Sequence, residues 1–297
     1  MKNKFTEDSI VRTMTGLLVP ILLSGLIQQL YGTANLILIG RYAGADATAA
    51  AGASDLIITC LIGFFTGISV GTNVAAAHIL GTNSAEQMPR LLQTVLKTGI
   101  AGGVCLAVIG SISAPVLLSW MNTPKDILPT AVTYLRVYML SVVSIVIFNL
   151  CAGVFRAMGN PKIPMIFQAV AAVVHIGVGI LLVAFLKKGA QGAAIATFFS
   201  QTCAAFLSVW FLYAQQKGNC FAELQRSFDY HLLKKILRIG VPSGIQAMVI
   251  TLSNITIQSQ INRFGVDIIA AFTNYFKIEM LLYMPILAYS DYQSGAA

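Results

Sequence analysis

Apolar residues in this chain fall in long unbroken blocks separated by short polar stretches. The every-second-residue alternation of a membrane β-barrel strand is absent. In hydrocarbon every backbone N–H and C=O must be paired within its own segment, so blocks of this length are read as spanning helices. The pattern predicts spans at roughly 14–39, 54–79, 95–121, 130–155, 163–186, 190–214, 239–262 and 268–290. The uncharged run from Thr13 to Gly40 is too long for the core of a cleaved signal peptide, so no removed signal is expected.

Composition supports the same reading. Apolar residues make up 57% of the chain, charged residues only 10%, and the mean hydropathy is +0.77. A soluble domain carries about 25% charged residues, so a water-soluble globule is excluded, as are disordered and disulfide-scaffold classes. Cys60, Cys105, Cys151, Cys203 and Cys220 are far apart in sequence and lack redox or metal spacing, and they read as small buried apolar residues.

The net charge of +8 would suggest a nucleic-acid partner, but the basic residues sit in short loops, where they set orientation. One set holds Lys2, Lys4, Arg12, Arg90, Lys97, Arg156, Lys162, Lys217, Arg226, Lys234, Lys235 and Arg238. The opposite set is smaller: Arg41, Lys125, Lys187, Lys188 and Arg263. The richer side is the cytoplasmic one, so a cytoplasmic N-terminus in a bacterial inner membrane is expected, with the bilayer and no nucleic acid as partner. Lys234, Lys235 and Arg238 would also attract anionic headgroups, although topology control explains them equally well.

An internal repeat is visible. Val19, Pro20, Leu30, Ile39 and Arg41 realign on Val241, Pro242, Leu252, Ile261 and Arg263 with the same proline-to-arginine spacing. With one gap, Gly44, Asp46, Ala49 and Ala50 meet Gly265, Asp267, Ala270 and Ala271. An even number of spans separates the copies, so the halves are expected to be parallel repeats about an axis along the membrane normal. The expected fold is an all-α polytopic membrane protein. It has one complete six-helix lobe (1–214), a cytoplasmic linker (215–238) and the first two helices of a second lobe (239–297). The second copy stops after two spans, so the chain reads as the N-terminal portion of a longer, twelve-span protein.

Several segments resemble the MATE (multidrug and toxic compound extrusion) transporters. They are Leu30-Tyr31 through Ile39-Gly40-Arg41, Gly63 through Asn73, Phe155 through Pro164, Gly189 through Thr197 with Ser200-Gln201, and Gly240-Val241-Pro242 through Gly265. The resemblance implies a monomeric antiporter of two six-helix lobes about a shared cavity. It would export organic cations or other amphipathic small molecules by alternating access, driven by inward H⁺ or Na⁺, with no further cofactor. Relatives in the same superfamily flip lipid-linked oligosaccharides, so that substrate class stays open, as does a fragment that does not transport.

The chain departs from the family pattern where charge is expected. Many members carry an aspartate four residues after the helix-one tyrosine; here that position is Asn35. Their helix-five asparagine and acidic residue correspond to His175 and Gly179, and a helix-seven glutamate position is Ile250. A neutral amide takes up no proton, although its oxygen can still help to hold sodium.

Charged groups inside a span are costly and are functional candidates by default. Glu279 and Lys277 in the eighth span fit this, with Glu279 as a ligand for the coupling cation or a cationic substrate and Lys277 tuning it. A structural ion pair or a shifted span is the alternative. His175 is a candidate proton relay or a neutral packed histidine. Gln28 and Asn35 share a face of helix one, and Tyr31 nearby can stack on a cation. Asn149, Gln246, Asn254 and Gln258 are further amides that suit a cavity holding a cation loosely, or that bond between helices.

Gly63, Gly67, Gly71 and Ala75 form a ladder at four-residue spacing, expected to let another helix approach closely. Pro20 and Pro242 are expected in early helical turns, and Pro115 and Pro285 at kinks. No motif of an intramembrane enzyme is present: there are no paired carboxylates for magnesium, no nucleophile with a base, and no HExxH.

Overall fold

The structure is a computed structural model and describes residues 10–82, 85–121, 123–215 and 228–261. The helices are α1 (Ile10–Ala43), α2 (Ala45–Gly81), α3 (Met88–Trp120), α4 (Leu128–Ala157), α5 (Lys162–Gly179), α6 (Gly189–Ala214) and α7 (Tyr230–Ile261). A 3₁₀ turn (Ala85–Gln87) precedes α3, and a π-helical turn (Ile180–Phe185) continues α5. No strand occurs among the described residues. Among the described residues seven helices are long and apolar enough to cross a membrane. The eighth expected span lies outside the described residues.

The helices outrun the spans predicted from hydropathy. Apolar text marks only the part of a helix that sits in hydrocarbon, and the polar ends continue the same hydrogen-bond ladder. The α2 helix starts at Ala45, not near 54, and α7 starts at Tyr230, not near 239. Asp229 caps α7: its carboxylate accepts from the backbone N–H of His231 at 2.9 Å and of Leu232 at 3.1 Å. The early starts leave Pro20 and Pro242 well inside their helices and not in first turns.

Two joints follow directly from local sequence. A single residue, Gly44, links α1 to α2 at φ 91°, a conformation that a side chain resists. At the end of α4, Gly159 adopts φ 70° and donates to the Arg156 carbonyl at 2.9 Å, while Asn160 donates to Phe155 at 3.0 Å. That pairing closes the helix, and Pro161 starts the next one.

The central helix is α4, packed on α2, α3 and α6. Its Leu135, Met139, Val142, Val146 and Phe155 are fully buried. The opposite condition holds on α3, where Ile100, Val104, Val108, Ile112, Val116 and Trp120 are exposed, as a lipid-facing helix requires. Helices α5 and α6 pack together, α1 leans on α5, and α7 packs along α2.

The glycine ladder of α2 meets α7. A Cβ built on Gly67 would lie 2.2 Å from the Gly244 nitrogen, and one on Gly71 would lie 2.2 Å from the Ile236 carbonyl oxygen. Reciprocally, a Cβ on Gly240 would lie 2.7 Å from the Ile68 Cα. The two helices therefore touch backbone to backbone, in an antiparallel register. Because α1 also runs opposite to α2, α1 and α7 run the same way, as a parallel repeat requires. The contact loosens along α2. At Gly63 the nearest atom to an added Cβ is the Ala247 Cβ at 3.9 Å, and at Gly52 no described atom lies within 4 Å.

Gly67→Ala should therefore lower the melting temperature in detergent, by the equivalent of about 1–3 kcal/mol for overpacking against an immobile backbone. Gly52→Ala should leave it unchanged or raise it slightly. Equal effects at the two positions would contradict the close contact.

Candidate functional site

Four helices of the first lobe bring polar side chains together at one level. From α1, the Asn35 amide nitrogen donates to the Tyr134 hydroxyl of α4 at 3.3 Å. The Asn35 amide oxygen lies 3.2 Å from Nε2 of His175 on α5. An amide oxygen only accepts, so Nε2 carries the hydrogen. One turn back on α1, the Tyr31 ring packs on the His175 ring with centroids 4.3 Å apart. The Tyr31 hydroxyl lies 3.3 Å from the Ser200 hydroxyl of α6, close to Thr197 and Gln201. Tyr138, one turn along α4, packs 6.1 Å from Tyr134.

Local sequence explains the placement. Tyr31 and Asn35 are four residues apart and so share one face of α1. Tyr134 and Tyr138 do the same on α4. His175 is fully buried, and among the described residues its Nδ1 has no hydrogen-bond partner. At Gly179, one turn after His175, an added Cβ would lie 2.9 Å from Leu38 Cδ2, the movable end of that side chain. The side chain of Leu38 thus fills the space into which an acidic residue at position 179 would project.

The assembled groups are phenols, hydroxyls, amides and an imidazole. They offer oxygen ligands and aromatic faces, but no fixed negative charge. One carboxylate lies near. Asp55 of α2 is within electrostatic range of both Tyr134 and Tyr138. The sequence reading passed over it because the predicted span began at 54, which put Asp55 at a membrane boundary where charge is cheap. The signal was a lone acid nine positions after Asp46, with no further charged residue until Glu86.

The other candidates fall elsewhere. Gln28 is exposed on α1, two turns from Asn35. Asn149 donates to the Ile145 carbonyl of its own helix at 2.8 Å, and its backbone carbonyl accepts from Ser69 at 2.6 Å. On α7, Gln246 is exposed and Asn254 half-buried. The Gln258 side chain, Lys277 and Glu279 lie outside the described residues. Among the described residues no group of three or more His, Cys, Asp or Glu side chains is placed to hold a metal ion.

Comparison with known proteins agrees with this architecture. The family model MatE matches residues 20–181. The chain is 29% identical over 293 residues to the probable multidrug resistance protein YoeA of Bacillus subtilis, covering 96% of this chain and 63% of that protein. It is 28% identical over 286 residues to the probable multidrug resistance protein YpnP of the same organism, with the same coverage. A crystal structure described as MATE in the bent conformation superposes with a TM-score of 0.85 at 22% identity, over 95% of this chain and 63% of that one. The chain thus spans about 63% of the length of the relatives it matches.

Asn35 is the joint between phenol and imidazole. Asn35→Leu removes both hydrogen bonds and strands the buried Nε2, and should cost about 1–3 kcal/mol of thermal stability. In a double-mutant cycle with His175→Phe the two losses should be strongly non-additive. Additive losses in thermal melts would show that the two side chains do not share a hydrogen bond.

Proposed function

The chain belongs to the MatE family, and from that premise we propose that it forms the first lobe (1–214), the linker (215–238) and the start of the second lobe (239–297) of a secondary antiporter. That antiporter exports organic cations or amphipathic drugs by alternating access, drawing on inward movement of H⁺ or Na⁺. The observation that carries this reading is the behaviour of the α2–α7 pair. The helices touch backbone to backbone at Gly67 and Gly71 and meet through side chains at Gly63. Alternating access would turn the two lobes about this contact. The neutral polar cluster that joins α1, α4, α5 and α6 supplies the candidate substrate or ion site of the first lobe.

Relatives described as multidrug resistance proteins favour drug-like organic compounds as cargo. The lipid-exposed face of α3 fits a multi-pass protein of the bacterial inner membrane. The charge asymmetry of the loops favours a cytoplasmic N-terminus.

Export of a fluorescent organic cation should be measured in vesicles carrying the full-length protein, with proton and sodium gradients imposed separately. At least one gradient should drive export. Failure of both would remove the antiporter reading. Orientation is tested separately by placing a cysteine at Lys125 in a background without native cysteines. Lys125→Cys should react with an impermeant thiol reagent on intact cells, and labelling only after lysis would invert the topology.

A further inference from the structure

Pro115 stands inside α3 and has no backbone N–H. In an α-helix the N–H at that position would pair with the carbonyl four residues back, that of Ser111. The Ser111 carbonyl therefore lacks its helical partner, which is costly in hydrocarbon. A donor arrives from the neighbouring helix. The Nε of Arg136 on α4 donates to the Ser111 carbonyl at 3.2 Å. The proline of one helix thus creates the acceptor that the arginine of the next one fills.

This bond fixes where a charge sits. Ser111 lies nine residues before the end of α3 at Trp120, and Arg136 lies eight residues after the start of α4 at Leu128. At 1.5 Å per residue both counts place the guanidinium about 12–14 Å from the turn that joins the two helices. That depth is inside a hydrocarbon core about 30 Å thick. Arg136 is exposed there. So are Ile112 beside Ser111, Leu140 one turn along α4, and Val108 and Val104 further along α3. Among the described residues no carboxylate forms an ion pair with Arg136.

An untethered arginine at this depth would swing its head toward water along its own stem. Here Nε is tied to an inner carbonyl, so the charge stays in place and an anion must come to it. The two terminal NH₂ groups remain as a planar fork, a shape that matches two oxygens of a phosphate. On a surface that faces lipid, the anion within reach is the phosphodiester of a phospholipid. Lys125, exposed in the turn between α3 and α4, adds a second cation at the headgroup end of the same seam.

We propose that Arg136 is the centre of a phospholipid site on the α3–α4 seam. Its Nε stays on the Ser111 carbonyl, and its terminal NH₂ groups hold the lipid phosphate, drawn inward from the leaflet at the α3–α4 turn. The acyl chains then run along Val108, Val104 and Leu140, which continue inward from the arginine.

The test uses the full-length protein in detergent. Native mass spectrometry counts the phosphatidylglycerol molecules that stay bound. The wild type should keep about one lipid more than Arg136→Gln, whose amide can still donate to the Ser111 carbonyl but carries no charge. Arg136→Lys, which keeps the charge without the fork, should fall between the two. Retention equal to wild type in Arg136→Gln would overturn the site, and in Arg136→Lys it would overturn the role of the fork. Inorganic phosphate should leave no adduct; a phosphate adduct lost in Arg136→Gln would replace the lipid by a free anion. The anchor is tested by thermal melting. Arg136→Leu should lower the melting temperature more in the wild-type background than in the Pro115→Ala background, where position 115 again offers an N–H to Ser111. Equal shifts in the two backgrounds would remove the tether on which the lipid site depends.

Discussion

The close approach of two backbones, α2 and α7, is the interaction on which the arrangement depends. Lipid tails are as apolar as leucine, so helices in a membrane gain little by hiding apolar side chains from each other. What holds them is van der Waals contact at short range, and glycine permits the shortest. Gly67 and Gly71 on one helix and Gly240 and Gly244 on the other leave no room even for a methyl group. The opposite face of α2 is pinned as firmly. A Cβ on Gly153 of α4 would lie 2.6 Å from the Ser69 carbonyl oxygen, and the Ser69 hydroxyl bridges to the Asn149 carbonyl and to Arg156. With α4 on one side and α7 on the other, α2 is the spine that joins the first lobe to whatever follows it.

A spine so held at one end fixes what the other end can do. Toward Gly63 the contact passes from backbone to side chain. The polar side chains of the lobe gather among α1, α4, α5 and α6: Tyr31, Asn35, Tyr134 and His175, with Ser200 beside Tyr31. Hydrogen bonds among these neutral groups satisfy one another, which is how polar atoms survive in a low-dielectric lobe. Such a cluster recognises shape and dipoles but does not balance a charge.

Much of this was legible in the residues. Long apolar blocks announce spanning helices because hydrocarbon leaves the backbone no other way to pair. The four-residue rhythm of Gly63, Gly67 and Gly71 announced a close helix contact, though not its partner, since partner choice depends on how distant segments meet. Tyr31, Asn35 and His175 stood out as polar residues in apolar text, and the structure brings those three together. Helix ends were harder to read. The hydrogen-bond ladder continues past the lipid boundary, and the cap on α7 lies in Asp229, outside any apolar run. The same boundary error hid Asp55. Asn149 shows the converse, since its amide bonds to its own helix, a local choice that composition does not reveal.

The central claim is that α2 and α7 are in backbone contact at the glycine end and packed more loosely toward the other. Pulsed electron resonance distances between spin-label pairs on the two helices test it most directly, in protein reconstituted into bilayers. One pair, at His78 and Lys234, reports on the glycine end. The other, at Gly52 and Gln260, keeps the same register at the far end. The account predicts a short, narrow distance for the first pair and a clearly longer one for the second. Equal distances at both ends, or a longer one at the glycine end, would contradict it.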